Sequence, residues 1–210
     1  MKAQPSFHPN PLPIFDTDKV DSILALDDNY FRIFEYRPNQ NILPEYFRID
    51  YFAIEILLEG EMHCSINLHD IHAKAPCVIT LLPDFVLHVD SVSEKCRALI
   101  LAHSTQFSDD LQMNDYSYRA KQAARAYPCN ELTEKQTHTT VQLVQTMQDL
   151  LQQQQSNPNV RDCILKLTSS LYLYLQGCFI EFYKRQATQS RSEQLTADFF
   201  GLAESNCLHA

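Results

Sequence analysis

Between residues 29 and 104 the chain consists of short runs of β-branched and aromatic residues, each closed by a turn signal and spaced at roughly ten-residue intervals. That rhythm is accommodated by an all-β barrel or sandwich and by little else. The runs fall at 29–37 (NYFRIFEYR), 46–59 (YFRIDYFAIEILLE), 61–68, 71–75, 77–82, 85–92 and 96–103. Pro76 and the pair Pro83-Asp84 break the series where turns are needed. The 46–59 run reads as one long strand, and with Gly60 at the bend it predicts a hairpin into 61–68. Alternation along it puts Phe47, Ile49, Tyr51, Ala53, Glu55 and Leu57 on one face and Arg48, Asp50, Phe52, Ile54 and Ile56 on the other.

From about residue 130 the apolar period becomes helical. Thr133 with Gln136 has the spacing of a capping box, and Val141, Val144, Met147 and Leu151 follow on one face. A second helix carries Val160, Ile164, Leu167, Leu171, Tyr174 and Cys178 as a stripe, widened by Leu165, Tyr172, Phe179 and Tyr183. Ser190 with Glu193 opens a third. The expected organisation is therefore an extended, proline-rich arm at 1–28 and a barrel at 29–110. A connecting segment and an antiparallel helical hairpin at 111–189 follow, then the start of a linker helix at 190–210. The fold class is a β-barrel plus α.

Composition narrows the function. The chain has 210 residues and only 3 glycines, and neither GxGxxG nor a Walker A loop occurs. No uninterrupted apolar run has bilayer-spanning length and the start lacks a signal-type apolar core, which predicts no membrane partner and a cytoplasmic address. The 7 cysteines are widely spaced without a CxxC, the pattern of reduced, buried thiols. The net charge is −9, with 8 basic against 17 acidic residues in 1–110, so phosphate neutralisation by this chain is not expected. His63, His69, His72 and His88 lie in the strand region, but no His-x-His pair occurs, and His69 and His72 fall on opposite faces of a strand. No GxSxG or catalytic cysteine context occurs either. Glu55, Glu59 and Glu61 flank the Gly60 bend and read as a solvated rim. Neither an enzyme, nor a metal, nor another cofactor is expected.

The residues Ile56-Leu57-Leu58-Glu59-Gly60-Glu61-Met62 and Ile79-Thr80-Leu81-Leu82-Pro83-Asp84-Phe85-Val86-Leu87-His88 resemble the N-terminal domain of AraC-family transcriptional regulators. The order of barrel, helical hairpin and linker is similar as well, over about residues 29–200. The resemblance implies a cupin-like (jelly-roll) barrel that senses an unknown small-molecule effector, and helices that pair two subunits into a homodimer. It also implies a helix-turn-helix domain for promoter DNA that these 210 residues do not include. By the same resemblance Arg37, which precedes Pro38, and His88, which follows the proline turn, are expected to contact ligand. Phe52 and Phe85 are expected to line the same interior, beneath the arm. The guest suited to Arg37 and His88 is a sugar or a carboxylate. The surplus apolar width of the second helix assigns Leu167, Leu171, Tyr174, Leu175 and Cys178 to the dimer interface. A cupin-fold metal-dependent enzyme and a dimerisation module without a ligand are the alternative readings.

Overall fold

The structure, a computed structural model, describes residues 23–27, 30–37 and 46–187, with the backbone alone for 114–119 and 181–187. Ten strands and four helices lie within those residues. The strands are β1 (Ile23–Leu26), β2 (Phe31–Tyr36), β3 (Phe47–Arg48), β4 (Phe52–Glu59), β5 (Glu61–Ile66), β6 (His69–Lys74), β7 (Cys77–Leu81), β8 (Val86–Val92), β9 (Arg97–His103) and β10 (Cys129–Glu131). The helices are α1 (Thr105–Asp110), α2 (Asn114–Ala126), α3 (Glu134–Gln152) and α4 (Val160–Ala187).

The strands form two antiparallel sheets, one in the order β1-β2-β9-β4-β7-β10 and one in the order β3-β8-β5-β6. From β2 to β9 this is the jelly roll: successive strands repeatedly change sheet, and each sheet interleaves early and late strands. The expected barrel is thus a cupin-like jelly roll followed by a helical hairpin. Two local expectations are corrected. The 46–59 run is two strands in different sheets, β3 beside β8 and β4 between β9 and β7. Gly60 is not a hairpin turn, because β4 and β5 do not pair; it is the corner where the chain crosses between sheets. The hairpin, at the far end of β5, joins β5 to β6 through Asn67 and Leu68, both at positive φ (51° and 67°), as right-twisted strands demand of a two-residue loop. Positive φ at Gly60 (79°) and the absence of a side chain both matter at the corner. A Cβ there would stand 2.3 Å from Ser93 Oγ and 2.8 Å from the Cys96 backbone.

Alternation gives the six-stranded sheet two apolar faces. Phe34, Ala53, Leu57, Cys77, Ile79, Leu81, Ala98 and Ile100 point into the barrel, where they meet Ile49, Met62, Cys64, Ile66, Phe85 and Leu87. Phe31, Ile33, Ile54, Ile56, Val78, Leu99 and Leu101 point out of it and are covered by Phe107, Val144, Met147, Leu151, Ile164, Leu171 and Leu175 from the helices. The capping box at the start of α3 is present, with Thr133 Oγ1 accepting from Gln136 N and the Gln136 side chain accepting from Thr133 N. Ser104 caps α1 in the same way through Phe107 N. A hydrogen-bonded set of Tyr30, Asp110 and Arg161 ties β2, α1 and α4 together, with the Arg161 guanidinium also 4.6 Å from the Tyr30 ring centroid.

By length and composition Val160–Ile180 is apolar enough to cross a membrane, contrary to the reading of the sequence. Its residues Val160, Ile164, Thr168, Leu171, Leu175 and Phe179 are buried in the chain's own core. The Ser190 cap and the 1–22 part of the arm lie outside the described residues; 23–26 of that segment is β1, which extends the six-stranded sheet.

Gly60→Ala is expected to lower stability by about 1–3 kcal/mol, because φ and space both oppose a side chain. Leu68→Gly, which relieves a left-handed leucine that is 82% exposed, is expected to raise stability by about 1 kcal/mol. Urea unfolding of both variants checks the two signs.

Candidate functional site

The interior face of the six-stranded sheet can be read row by row from its register. Arg32, Ala102, Ala53 and Leu81 form one row. Phe34, Ile100, Glu55, Ile79 and Cys129 form the next, and Tyr36, Ala98, Leu57 and Cys77 the third. The three alanines keep the wall low beside the polar side chains. Arg32 shares its face with Phe34 and Tyr36, and its Nε is shielded from solvent. Glu55 is 5% exposed at the centre of the wall.

A carboxyl in this position resists ionisation, since charge is costly in a medium of low polarisability. Burial pushes the Glu55 pKa from 4.5 up to about 7. Tyr51, on the same face, has a buried hydroxyl with no hydrogen-bond partner among the described residues. Burial raises its pKa, and the nearby carboxylates of Asp50 and Glu55 raise it further. The Tyr36 hydroxyl is pushed up to about 12, by burial first, then by Cys96 and Glu55. Burial likewise takes the Cys64 and Cys96 thiols to about 12. The Cys77 thiol is raised by its hydrogen bond to Cys129 and by burial. A buried phenol without a partner near a carboxyl that titrates at about 7 is a pair of directional groups available to something polar. Among the described residues no group of three His, Cys, Asp or Glu side chains could hold a metal ion.

The expected ligand residues are dispersed. Arg37 is at the surface, 65% exposed and paired with Glu35 at 2.8 Å, so it does not enter the barrel. His88 points away from the interior that its neighbours Leu87 and Val89 face. Its ring stacks on Tyr46 at 4.4 Å and its Nδ1 lies 3.2 Å from Asp90 Oδ1. Phe52 is on the helix side of β4, stacked on His103 at 5.2 Å. Phe85 alone of the four is buried in the barrel interior. Glu55 is the reverse correction. Alternation placed it on the face of Ala53 and Leu57, but its charge and nearness to Gly60 suggested a solvated rim. Arg32 was passed over because one arginine in an aromatic run has no motif around it.

The dimer residues need revision too. Leu171 is 0% exposed and Leu175 5%, both against the chain's own core, so neither offers surface to a partner. Tyr174 and Cys178 turn toward α3, where Gln136 hydrogen-bonds the thiol. Leu167 packs on the same core.

Neither a protein-family model nor a curated protein matches the sequence. Solved structures with partial likeness are cupin-fold proteins. A cupin protein from Bacteroides fragilis is 15% identical, with 37% of this chain and 68% of that one covered and a TM-score of 0.31. A predicted oxalate decarboxylase from Thermotoga maritima is 17% identical, with 35% and 64% covered and a TM-score of 0.29. The cupin domain of Schizosaccharomyces pombe Cnp3 is 10% identical, with 43% and 68% covered and a TM-score of 0.34. A putative ethanolamine utilization protein from Salmonella typhimurium is matched over only 55% of its length. The jelly-roll assignment rests on strand order, not on these likenesses, and they do not single out a transcriptional regulator.

In the unfolded chain Glu55 ionises near 4.5, whereas in the barrel it keeps its proton to about 7. Between those values folding takes up a proton. The Glu55 contribution to stability is therefore greatest below about 4.5, falls as pH rises to about 7 and levels off above it, while His103, held neutral by burial, acts in the opposite sense below about 6.5. Glu55→Gln, which keeps the shape and removes the charge, is expected to match the parent near pH 4.5 and to exceed it by about 3 kcal/mol at about pH 8. Urea midpoints of the two proteins at both pH values measure the difference.

Proposed function

We propose that this chain is the ligand-sensing and dimerisation module of a cytoplasmic transcriptional regulator of the AraC kind. In this reading, promoter DNA is contacted by a further domain rather than by the acidic jelly roll. The observation that carries the sensing half is the interior wall on which Arg32, Glu55 and the unpartnered Tyr51 hydroxyl surround the low rows of Ala53, Ala98 and Ala102. A buried phenol without a partner near a buried carboxyl is unusual in a purely structural core. The set combines guanidinium donors, a carboxyl that is neutral or charged near physiological pH, and a phenol. With Arg37 outside and Glu55 inside, it favours the sugar over the carboxylate, the two guests that the sequence suggested. Neutral sugars and polyols, screened by thermal shift, are expected to include a ligand that raises the melting temperature of the parent and not that of Glu55→Gln. A response confined to carboxylates would count against the reading.

The dimerisation half is supported by the outward face of α4. Leu173 and Ile180, seven residues apart on one face with Gly177 between them, are 41% and 45% exposed. Only 28% of the most apolar stretch of α4 is buried within the chain. A helix that is polar outside at Arg161, Asp162, Lys166 and Ser170 but turns apolar outside at Leu173 and Ile180 offers that later stretch to a second copy. Leu173→Glu with Ile180→Glu is expected to give a folded monomer in sedimentation or light scattering, while the parent is a dimer. Leu171→Glu is expected instead to cost about 3 kcal/mol or more of stability, since it buries a charge in the core.

A further inference from the structure

A cavity of about 120 Å³ lies beside the barrel interior, between the sheet at β4 and β7, the α1–α2 region and α4, and touches the interior row at Ala53 and Leu81. Its walls are mainly apolar, with Phe52, Ala124, Leu175 and Phe179 among them. For comparison, a dry cavity of roughly 150 Å³ accepts benzene. At its edge stands Lys121, whose ammonium is 5.1 Å from the Phe52 ring centroid. Lys121 makes no ion pair with another described residue, and no other basic residue lines the cavity among those described.

Two of the neighbouring polar side chains, His103 and Tyr172, are committed to one another. His103 Nδ1 lies 3.0 Å from the Ser104 carbonyl, which can only accept, so Nδ1 carries the proton. Nε2 then accepts from the Tyr172 hydroxyl, which fixes the Tyr172 wall of the cavity. Burial lowers the His103 pKa to about 4, so the ring is neutral at physiological pH and adds no second positive charge. What is left is a ring-sized, mainly apolar space with Thr80, Ser108 and Gln176 in its lining and a single ammonium at its edge.

We propose that this cavity is a second ligand site, beside the barrel interior, for a compact apolar molecule of about one aromatic ring bearing one carboxylate. The ring lies among Phe52, Leu175 and Phe179, and the carboxylate pairs with Lys121. Charge complementarity and size select that class over a neutral hydrocarbon, which would leave Lys121 beside a dry surface, and over a polyol, whose hydroxyls outnumber the few polar side chains of a mainly apolar wall. Because Leu175 and Phe179 belong to α4, a bound molecule bears directly on the helix that carries Leu173 and Ile180 on its other side.

Benzoate is the probe and benzyl alcohol its uncharged counterpart, titrated into the full chain with ¹³C-labelled alanine methyl groups. Saturable benzoate shifts are expected to be largest at Ala120, Ala123 and Ala124, with Ala98 in the barrel unmoved. Lys121→Met, with an otherwise unchanged methyl spectrum, is expected to weaken benzoate roughly tenfold, the loss of one charge-assisted bond, and to leave benzyl alcohol nearly unaffected. Ala123→Leu, which narrows the cavity, is expected to weaken both. The proposal is overturned by shifts centred on Ala98 and Ala102, by benzoate affinity unchanged in Lys121→Met, or by no saturable shift up to about 10 mM, the range in which so small a ligand must bind to be specific. None of these outcomes bears on whether the barrel takes a polyol.

Discussion

The six-stranded sheet is buried on both sides, and the rest of the molecule is arranged around that fact. In β4 every residue from Ala53 to Leu57 is buried, and in β9 every residue from Ala98 to His103. Antiparallel sheets commonly leave one face to water; this one cannot, because Ile33, Ile54, Ile56, Val78, Leu99 and Leu101 would be exposed together. The helices are therefore not an appendage to a self-sufficient barrel. They complete it, and the Tyr30, Asp110 and Arg161 set fastens them where the cover begins.

One strand consequently serves two compartments. Glu55 stands in the barrel, while its neighbours Ile54 and Ile56 stand under the helices. A guest that orders Glu55 from inside acts on the same backbone segment that supports α4 from outside. Close-packed interiors transmit such adjustments instead of absorbing them. On the proposed reading, sensing and pairing would share this one mechanical element without a separate relay.

The parts of this architecture that could be read from the sequence were the local ones. Strand spacing, the Thr133 capping box and the alternation that put Ala53, Glu55 and Leu57 on one face depend on residues a few positions apart. The choice of sheet does not. Nothing between Phe47 and Ile66 says that β3 pairs with β8, or that the chain changes layers at Gly60, because those partners lie far along the chain. The α4 residues failed for another reason. A helical stretch apolar nearly all round has no periodic clue to which side its own chain will claim, so Leu171 and Leu175 were indistinguishable from Leu173 and Ile180. Glu55 shows a third kind of failure: the face was right, but the ordinary cost of burying a carboxyl argued against it. Functional interiors are where that cost is tolerated.

The barrel thiols have a use of their own for the experimenter. Cys64, Cys77 and Cys96 are buried in the jelly roll, with their thiols held well above the ordinary range. Alkylation needs the thiolate and access to it. Each modification event at these sulfurs must therefore await an opening of the barrel, which makes the rate of alkylation a clock for how often the two sheets part.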